Sequence, residues 1–188
     1  MTHDPLRYLG GYSEKTQAQV RRLIEEGRLE AHLAARYQGV HDRTTNKQLF
    51  AFVGELKRHY MRTAPPVAKA FYDDRLMAVE HALGLHTFSS KAHGGKLRAR
   101  SEIRIAGVFR AAPEPFLRMI VVHELAHLRE KDHSKAFYRM CETMEPEYHQ
   151  LEFDTRLFLT AKELAQDCLL YTSPSPRDQR GSRMPSSA

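Results

Sequence analysis

Residues 119–128 read Met-Ile-Val-Val-His-Glu-Leu-Ala-His-Leu, an apolar run that carries two histidines four positions apart. On an α-helix, residues i and i+4 lie about 40° apart around the axis, so His123 and His127 project from one face. Neutral imidazole is a good zinc ligand, and Glu124 follows the first histidine directly, where its carboxylate can meet a water held by the metal. The segment therefore predicts an HExxH metal helix.

A third histidine lies just beyond this motif. His133 follows the expected helix end, and a turn at Lys131-Asp132 would bring it back toward the other two. Catalytic zinc sites use three protein ligands and leave a position for water. We therefore expect His123, His127 and His133 to bind Zn2+, with Glu124 as the catalytic base. A surface helix with solvated histidines is the alternative, but a buried glutamate beside two buried histidines is costly without a partner such as a metal.

Proline residues set the bounds of the helices around the motif. Pro113 and Pro115 suit a first helical turn, so the metal helix is predicted over residues 115–129. Further helices are predicted over residues 134–144 and 148–164, separated by Pro146. Tyr148 and His149 open the last helix, where they either stabilise an oxyanion near the metal or only cap and pack.

The clearest strand is predicted upstream, over residues 96–109, after a short extended segment at 86–90 and a turn at 93–95. Apolar side chains alternate along one face of this strand, whereas the other face is mostly basic. The basic face consists of Lys96, Arg98, Arg100, Glu102 and Arg104. It either binds phosphates or is a solvated face that discourages edge pairing, and both interpretations stay open.

The first third of the chain is predicted to be helical. One amphipathic helix is expected over residues 13–37, with Gly27 as its weak point, and a second over residues 45–62. Thr45 and Gln48 have the spacing of a capping box at the start of the second helix. Because Pro65-Pro66 follows, we divide the chain into an N-terminal helical section, residues 1–66, and a catalytic domain, residues 67–167.

The last 21 residues have a different origin in this interpretation. Residues 168–178 correspond to the translation of a transposase adapter used in sequencing libraries, and residues 182–188 correspond to its far end. We therefore predict that residues 168–188 are adapter read-through and not native, rather than a disordered Ser/Pro tail. This segment holds three Arg and one Asp, so without it the formal net charge falls from +6 to +4.

Composition also bears on the cellular location of the protein and on its binding partners. Without residues 168–188, Cys141 is the single cysteine, so no internal disulfide can form, which fits a reducing compartment. No apolar stretch has the length of a membrane helix, and the first residues lack a secretory pattern, so a cytoplasmic location is expected by default. A charge of +4 is a weak argument for anionic partners, and no motif supports nucleic-acid binding.

The chain resembles the YgjP-like metallopeptidases, which are related to the SprT-like zinc proteins. The most specific segments are residues 121–128 and 131–138, with weaker matches at 82–85, 102–104, 112–113, 144–146 and 148–149. The resemblance implies an α+β, zincin-like domain with a small β-sheet beside the HExxH helix. It also assigns zinc to the three histidines named above and catalysis to Glu124.

The resemblance is incomplete before the basic strand. Many family members carry a Trp-Gly-Ser-Cys segment there, whereas this chain has Phe88-Ser89-Ser90-Lys91 and no tryptophan. This departure leaves the metal site intact but puts the family's usual substrate preference in doubt.

Three functions follow from these observations. The leading hypothesis is a zinc-dependent metallopeptidase that attacks a peptide with a zinc-activated water and Glu124 as the general base. The resemblance also implies a nucleotide pyrophosphatase acting on UTP or other nucleoside triphosphates. The third hypothesis is a non-catalytic, zinc-containing binding module, which would need a fourth protein ligand and would not need Glu124.

Overall fold

Helices dominate the part of the chain that the computed structural model describes, residues 4–76 and 101–172, with side chains described through Gln166. The helices are α1 (Glu14–Glu25), α2 (Leu29–Arg36), α3 (Asn46–Tyr60), α4 (Glu114–Ala126), α5 (Lys135–Met144) and α6 (Tyr148–Thr172). Strands β1 (Val67–Asp73) and β2 (Ser101–Ala106) form a parallel pair. Short 3-10 turns occupy Arg7–Leu9 and Gly107–Ala111. This arrangement is an α+β fold.

The N-terminal helical segment is broken where its sequence is weakest. The prediction of one helix over residues 13–37 is wrong, because α1 ends at Glu25 and α2 begins at Leu29. Between them Gly27 has a φ of 65°, in the left-handed region that other residues adopt only at a cost. This conformation ends α1 and separates it from α2.

The start of α3 agrees with the sequence. The Thr45 side chain accepts a hydrogen bond from the Gln48 amide at 3.3 Å, and the Gln48 side chain accepts one from the Thr45 amide at 3.0 Å. Each bond satisfies a backbone donor that the first turn of a helix leaves without an intrahelical partner. The predicted capping box is confirmed.

Strand β2 keeps the predicted alternation but ends earlier than predicted. Ile103 and Ile105 are fully buried, whereas Arg104 between them is exposed. The strand ends at Ala106 rather than residue 109, because the chain turns into the 3-10 segment at Gly107. Its described partner is β1, in the register Ala70↔Ile103 and Tyr72↔Ile105. Residues 96–100, with Arg98 and Arg100, and the predicted hairpin turn lie outside the described residues.

The core is built around α4. From Phe116 to Ala126, every residue of α4 except Arg118 is buried, because apolar side chains cover nearly its whole circumference. Helices α3, α5 and α6 all pack against it. Buried apolar side chains from the N-terminal helices and from the later elements belong to one cluster. The metal motif therefore lies on the most enclosed helix of the described fold.

The last helix extends beyond its predicted end. Helix α6 continues to Thr172, past the predicted end at residue 164. Leu164 is the last described side chain that packs against the core. No helix within the described ranges is both long and apolar enough to cross a membrane.

Candidate metal centre

The three histidines of the motif converge on one point. The Nε2 atoms of His123, His127 and His133 form a triangle in which each of the three edges is 3.2 Å. A tetrahedral zinc ion with Zn–N bonds of about 2.0–2.1 Å holds its nitrogen ligands roughly 3.3–3.4 Å apart. The triangle therefore fits a metal ion of that size, and all three donors are imidazole nitrogens.

A tight turn after α4 brings His133 to the other two histidines. Helix α4 ends at Ala126, and the amides of Arg129 and Glu130 both bond to the Ala126 carbonyl, at 3.0 and 3.1 Å. Ser134 then caps α5, since its hydroxyl accepts a hydrogen bond from the Phe137 amide at 3.3 Å. His133 lies between these two anchored points, so the predicted return of the chain at residues 131–132 is observed.

Phe137 forms an apolar support for the triangle. Its fully buried ring lies 5.0 Å from the His123 ring, 4.6 Å from His127 and 4.8 Å from His133, measured between centroids. A rigid ring in contact with all three imidazoles limits their rotation. Sequence reasoning missed this role, although Ser134 as a helix cap places Phe137 in the first turn of α5.

Hydrogen bonds on the far side of two rings set their orientation. The Nδ1–H of His127 donates to the Glu130 carbonyl at 2.9 Å, which leaves the Nε2 lone pair of the neutral ring directed at the centre of the triangle. Nδ1 of His123 lies 2.7 Å from the Tyr148 hydroxyl. Tyr148 is fully buried, and this burial raises its pKa far above the usual value, so the phenol stays protonated.

Among the described residues, the triangle is open to solvent at His133. His123 and His127 are 2% and 3% exposed, whereas His133 is exposed. Partial desolvation lowers the pKa of His133, which favours the neutral imidazole that metal binding requires. Glu124, 4% exposed, is buried on α4 between the two enclosed histidines. The open side leaves room for water or substrate to approach.

Tyr148 and His149 have different surroundings from those expected of an oxyanion pair. The Tyr148 hydroxyl lies behind His123 rather than at the open side. At the surface, His149 Nε2 lies 3.1 Å from a carboxylate oxygen of Glu142. Of the two alternatives, the geometry favours the one in which these residues cap and pack.

Cys141 and Arg104 also lie in different surroundings, the first in the core and the second on an exposed strand face. Cys141 is a core residue, and its burial raises the pKa of its thiol to about 12. Arg104 projects from β2 and pairs loosely with Asp73 at 3.9 Å and Glu102 at 3.8 Å. Contacts of this length are compatible with both interpretations of the strand face, phosphate binding and a solvated polar face.

Comparisons with known proteins identify relatives over the segment that contains this site. The model of the YgjP-like, metallopeptidase domain matches residues 36–155, which include the three histidines and Glu124. A UTP pyrophosphatase from Escherichia coli (strain K12) is 58% identical over 162 residues, which cover 86% of this chain and 97% of that protein. No solved structure matches the chain.

Proposed function

The chain belongs to the YgjP-like family of metal-dependent hydrolases, and from that premise we propose that it is a zinc-dependent nucleotide pyrophosphatase acting on UTP. The proposed substrate is inferred from the 58% identity to a UTP pyrophosphatase along 97% of that protein. From the sequence alone, a metallopeptidase is the leading hypothesis and this activity the second, and the comparison supports the second better. Peptide hydrolysis remains the second candidate, because the matching family is described as a metallopeptidase domain.

His123, His127 and His133 hold the metal in this proposal, and the metal is zinc. The three 3.2 Å separations between their Nε2 atoms support both statements, since three imidazoles with one open side make a catalytic zinc site. Zinc bound there supplies a Lewis acid that lowers the pKa of a coordinated water to about 7. The non-catalytic module is not supported, because the group found among residues 4–76 and 101–172 has three side chains and a closed structural site uses four.

Glu124 acts as the general base. Its carboxylate takes the proton of the attacking water and then passes it to the leaving group. Its position next to His123 on α4, 4% exposed and beside two of the proposed ligands, supports this role. For UTP the attack is on phosphorus, and for a peptide it is on the carbonyl carbon.

The triphosphate needs positive charge near the open side. We assign this role to the basic face predicted from the sequence, in which Arg104 is a described residue and Arg98 and Arg100 lie outside the described residues. Arg104 supports the assignment because its contacts with Asp73 and Glu102 are long, so a phosphate can compete for its guanidinium. Nucleic acid is not part of the proposal, because no motif favours it.

The remaining parts of the proposal concern architecture and location. The catalytic domain, residues 67–167, is zincin-like, with the sheet beside the HExxH helix, and residues 1–66 are its helical support. A cytoplasmic location is proposed because the buried Cys141 is a free thiol.

A parallel assay of two substrates tests the function. Tag-free protein loaded with zinc is incubated with UTP, and the uridine products are separated by anion-exchange chromatography. The same preparation is incubated with an unfolded protein, and fragments are followed by mass spectrometry. Glu124→Gln is the control for both. Loss of UTP that depends on Glu124 supports the proposal, whereas proteolysis without nucleotide hydrolysis moves the second candidate to first place.

A further inference from the structure

The hydrogen-bond partner of His123 Nδ1 is a side chain and not a backbone group. The Tyr148 hydroxyl lies 2.7 Å from His123 Nδ1, and the phenol is fully buried at the start of α6. The corresponding bond of His127 goes to the Glu130 carbonyl. A side-chain partner can be removed by substitution while the backbone stays unchanged, so its contribution can be measured.

Which residue donates in the hydrogen bond between His123 and Tyr148 follows from Nε2, the other nitrogen of the His123 ring. Nε2 of His123 lies 3.2 Å from the Nε2 atoms of both other histidines, too crowded a point for three N–H groups. A neutral imidazole with its Nε2 lone pair toward a cation carries its proton on Nδ1. His123 therefore donates Nδ1–H to the Tyr148 oxygen. The Tyr148 O–H then points away from His123, and the Cys141 thiol is its hydrogen-bond neighbour.

The segment that carries Tyr148 is attached to the metal helix itself. Arg118, on α4 before His123, donates from Nε to the Glu145 carboxylate at 2.5 Å and from Nη2 to the Met144 carbonyl at 2.8 Å. The Tyr148 amide in turn donates to the Glu145 carbonyl at 3.0 Å. The two contacts of Arg118 thus hold the α5–α6 connection against α4, and this fixes the position of the Tyr148 phenol relative to His123.

We propose that Tyr148 is a positioning residue that sets the tautomer and ring orientation of His123 for metal binding. The inference rests on the proposed metal site and adds a residue to it. A partner behind a metal-binding imidazole raises its basicity and removes rotational freedom before the metal arrives. Tyr148 does not touch the substrate, so its effect is on metal affinity first and on turnover through it.

Two phenol-to-phenyl variants test the inference. Tyr148→Phe removes the hydroxyl next to His123, and Tyr138→Phe is the matched control, since the Tyr138 ring lies 6.2 Å from His133 but no described hydrogen bond joins it to a histidine. Zinc affinity of the full chain is measured by competition with a chromophoric chelator. Tyr148→Phe is expected to weaken zinc binding about 10–100-fold, the usual effect of losing such a partner. Tyr138→Phe is expected to bind like the parent protein.

The outcomes separate this inference from the proposed function. If the parent protein binds no zinc, the metal site itself is wrong. If the parent binds zinc and Tyr148→Phe binds it equally well, Tyr148 does not position His123.

A second measurement does not depend on the variant folding. In the zinc-loaded, 15N-labelled parent protein, His123 is expected to show an Nδ1–H signal that exchanges slowly with water, because its acceptor is buried. In Tyr138→Phe the signal should persist, and in a folded Tyr148→Phe it should broaden or exchange faster. A parent protein whose His123 carries no protected Nδ1–H would overturn the inference.

Discussion

His133 Nε2 lies 3.2 Å from His123 Nε2, although the first residue belongs to a turn and the second to a buried helix. Replacing His133 with Ala removes one corner of this triangle and leaves two donors on α4. We expect the zinc content of tag-free protein to fall from about one per chain to a small fraction, because two imidazoles do not complete a site. Elemental analysis measures this, with the surface residue His149 replaced by Ala as the control. Full metal content in His133→Ala would remove it from the ligand set.

Glu124→Gln separates catalysis from metal binding. Glutamine keeps the size and accepts a hydrogen bond, but it takes up no proton at neutral pH. The variant should fold, retain zinc and lose roughly 10²–10⁴-fold in turnover, the usual contribution of a general base. Zinc content, melting temperature and turnover are measured on one preparation. Full activity in this variant would show that another group accepts the proton.

Arg118→Ala tests the attachment between α4 and the α5–α6 connection. The variant loses two charge-assisted hydrogen bonds and leaves the Glu145 carboxylate, which is 14% exposed, without its cation. We expect a loss of about 2 kcal/mol in the free energy of unfolding. Urea denaturation is the measurement, and Arg22→Ala is the control, since its pair with Glu26 is at the surface. Equal stability of the two variants would contradict the role of Arg118.

Two glycines should respond to alanine in opposite directions. Gly27 has a φ of 65°, so Gly27→Ala should cost about 1 kcal/mol even though no atom lies within 4 Å of the added carbon. Gly54 lies inside α3 with equally open surroundings, so Gly54→Ala should stabilise the protein by about 1 kcal/mol. Thermal unfolding of both variants gives the comparison. A stabilising Gly27→Ala would mean that α1 and α2 join into one helix.

Truncation tests whether residues after 167 belong to the fold. Removing residues 168–188 should leave the melting temperature and turnover unchanged, because Leu164 is the last described side chain packed on the core. Removing residues 159–188 is the contrasting deletion, since it takes away the buried Leu159 and Ala161. We expect that deletion to unfold the protein. A clear loss of stability from the shorter deletion would show that the tail is structural.

The features that could be predicted from the sequence are those set by neighbours along the chain. The capping box of Thr45 and Gln48 depends on a spacing of three residues, and the common face of His123 and His127 depends on a spacing of four. The break at Gly27 was recognisable as a weak point, but its left-handed conformation was not. Helical geometry relates such residues without reference to the rest of the molecule.

The strand pairing and the contact between Tyr148 and His123 depend instead on packing between segments that are distant in sequence. Nothing in residues 67–73 specifies a parallel partner at 101–106, since an extended segment can pair with any free edge and the choice depends on what covers its faces. The Tyr148 hydroxyl reaches His123 only because α6 packs on α4 and Arg118 holds the connection between α5 and α6. The motif thus names the donors of the proposed metal centre, whereas their orientation comes from contacts between helices, which depend on burial and shape across the whole core.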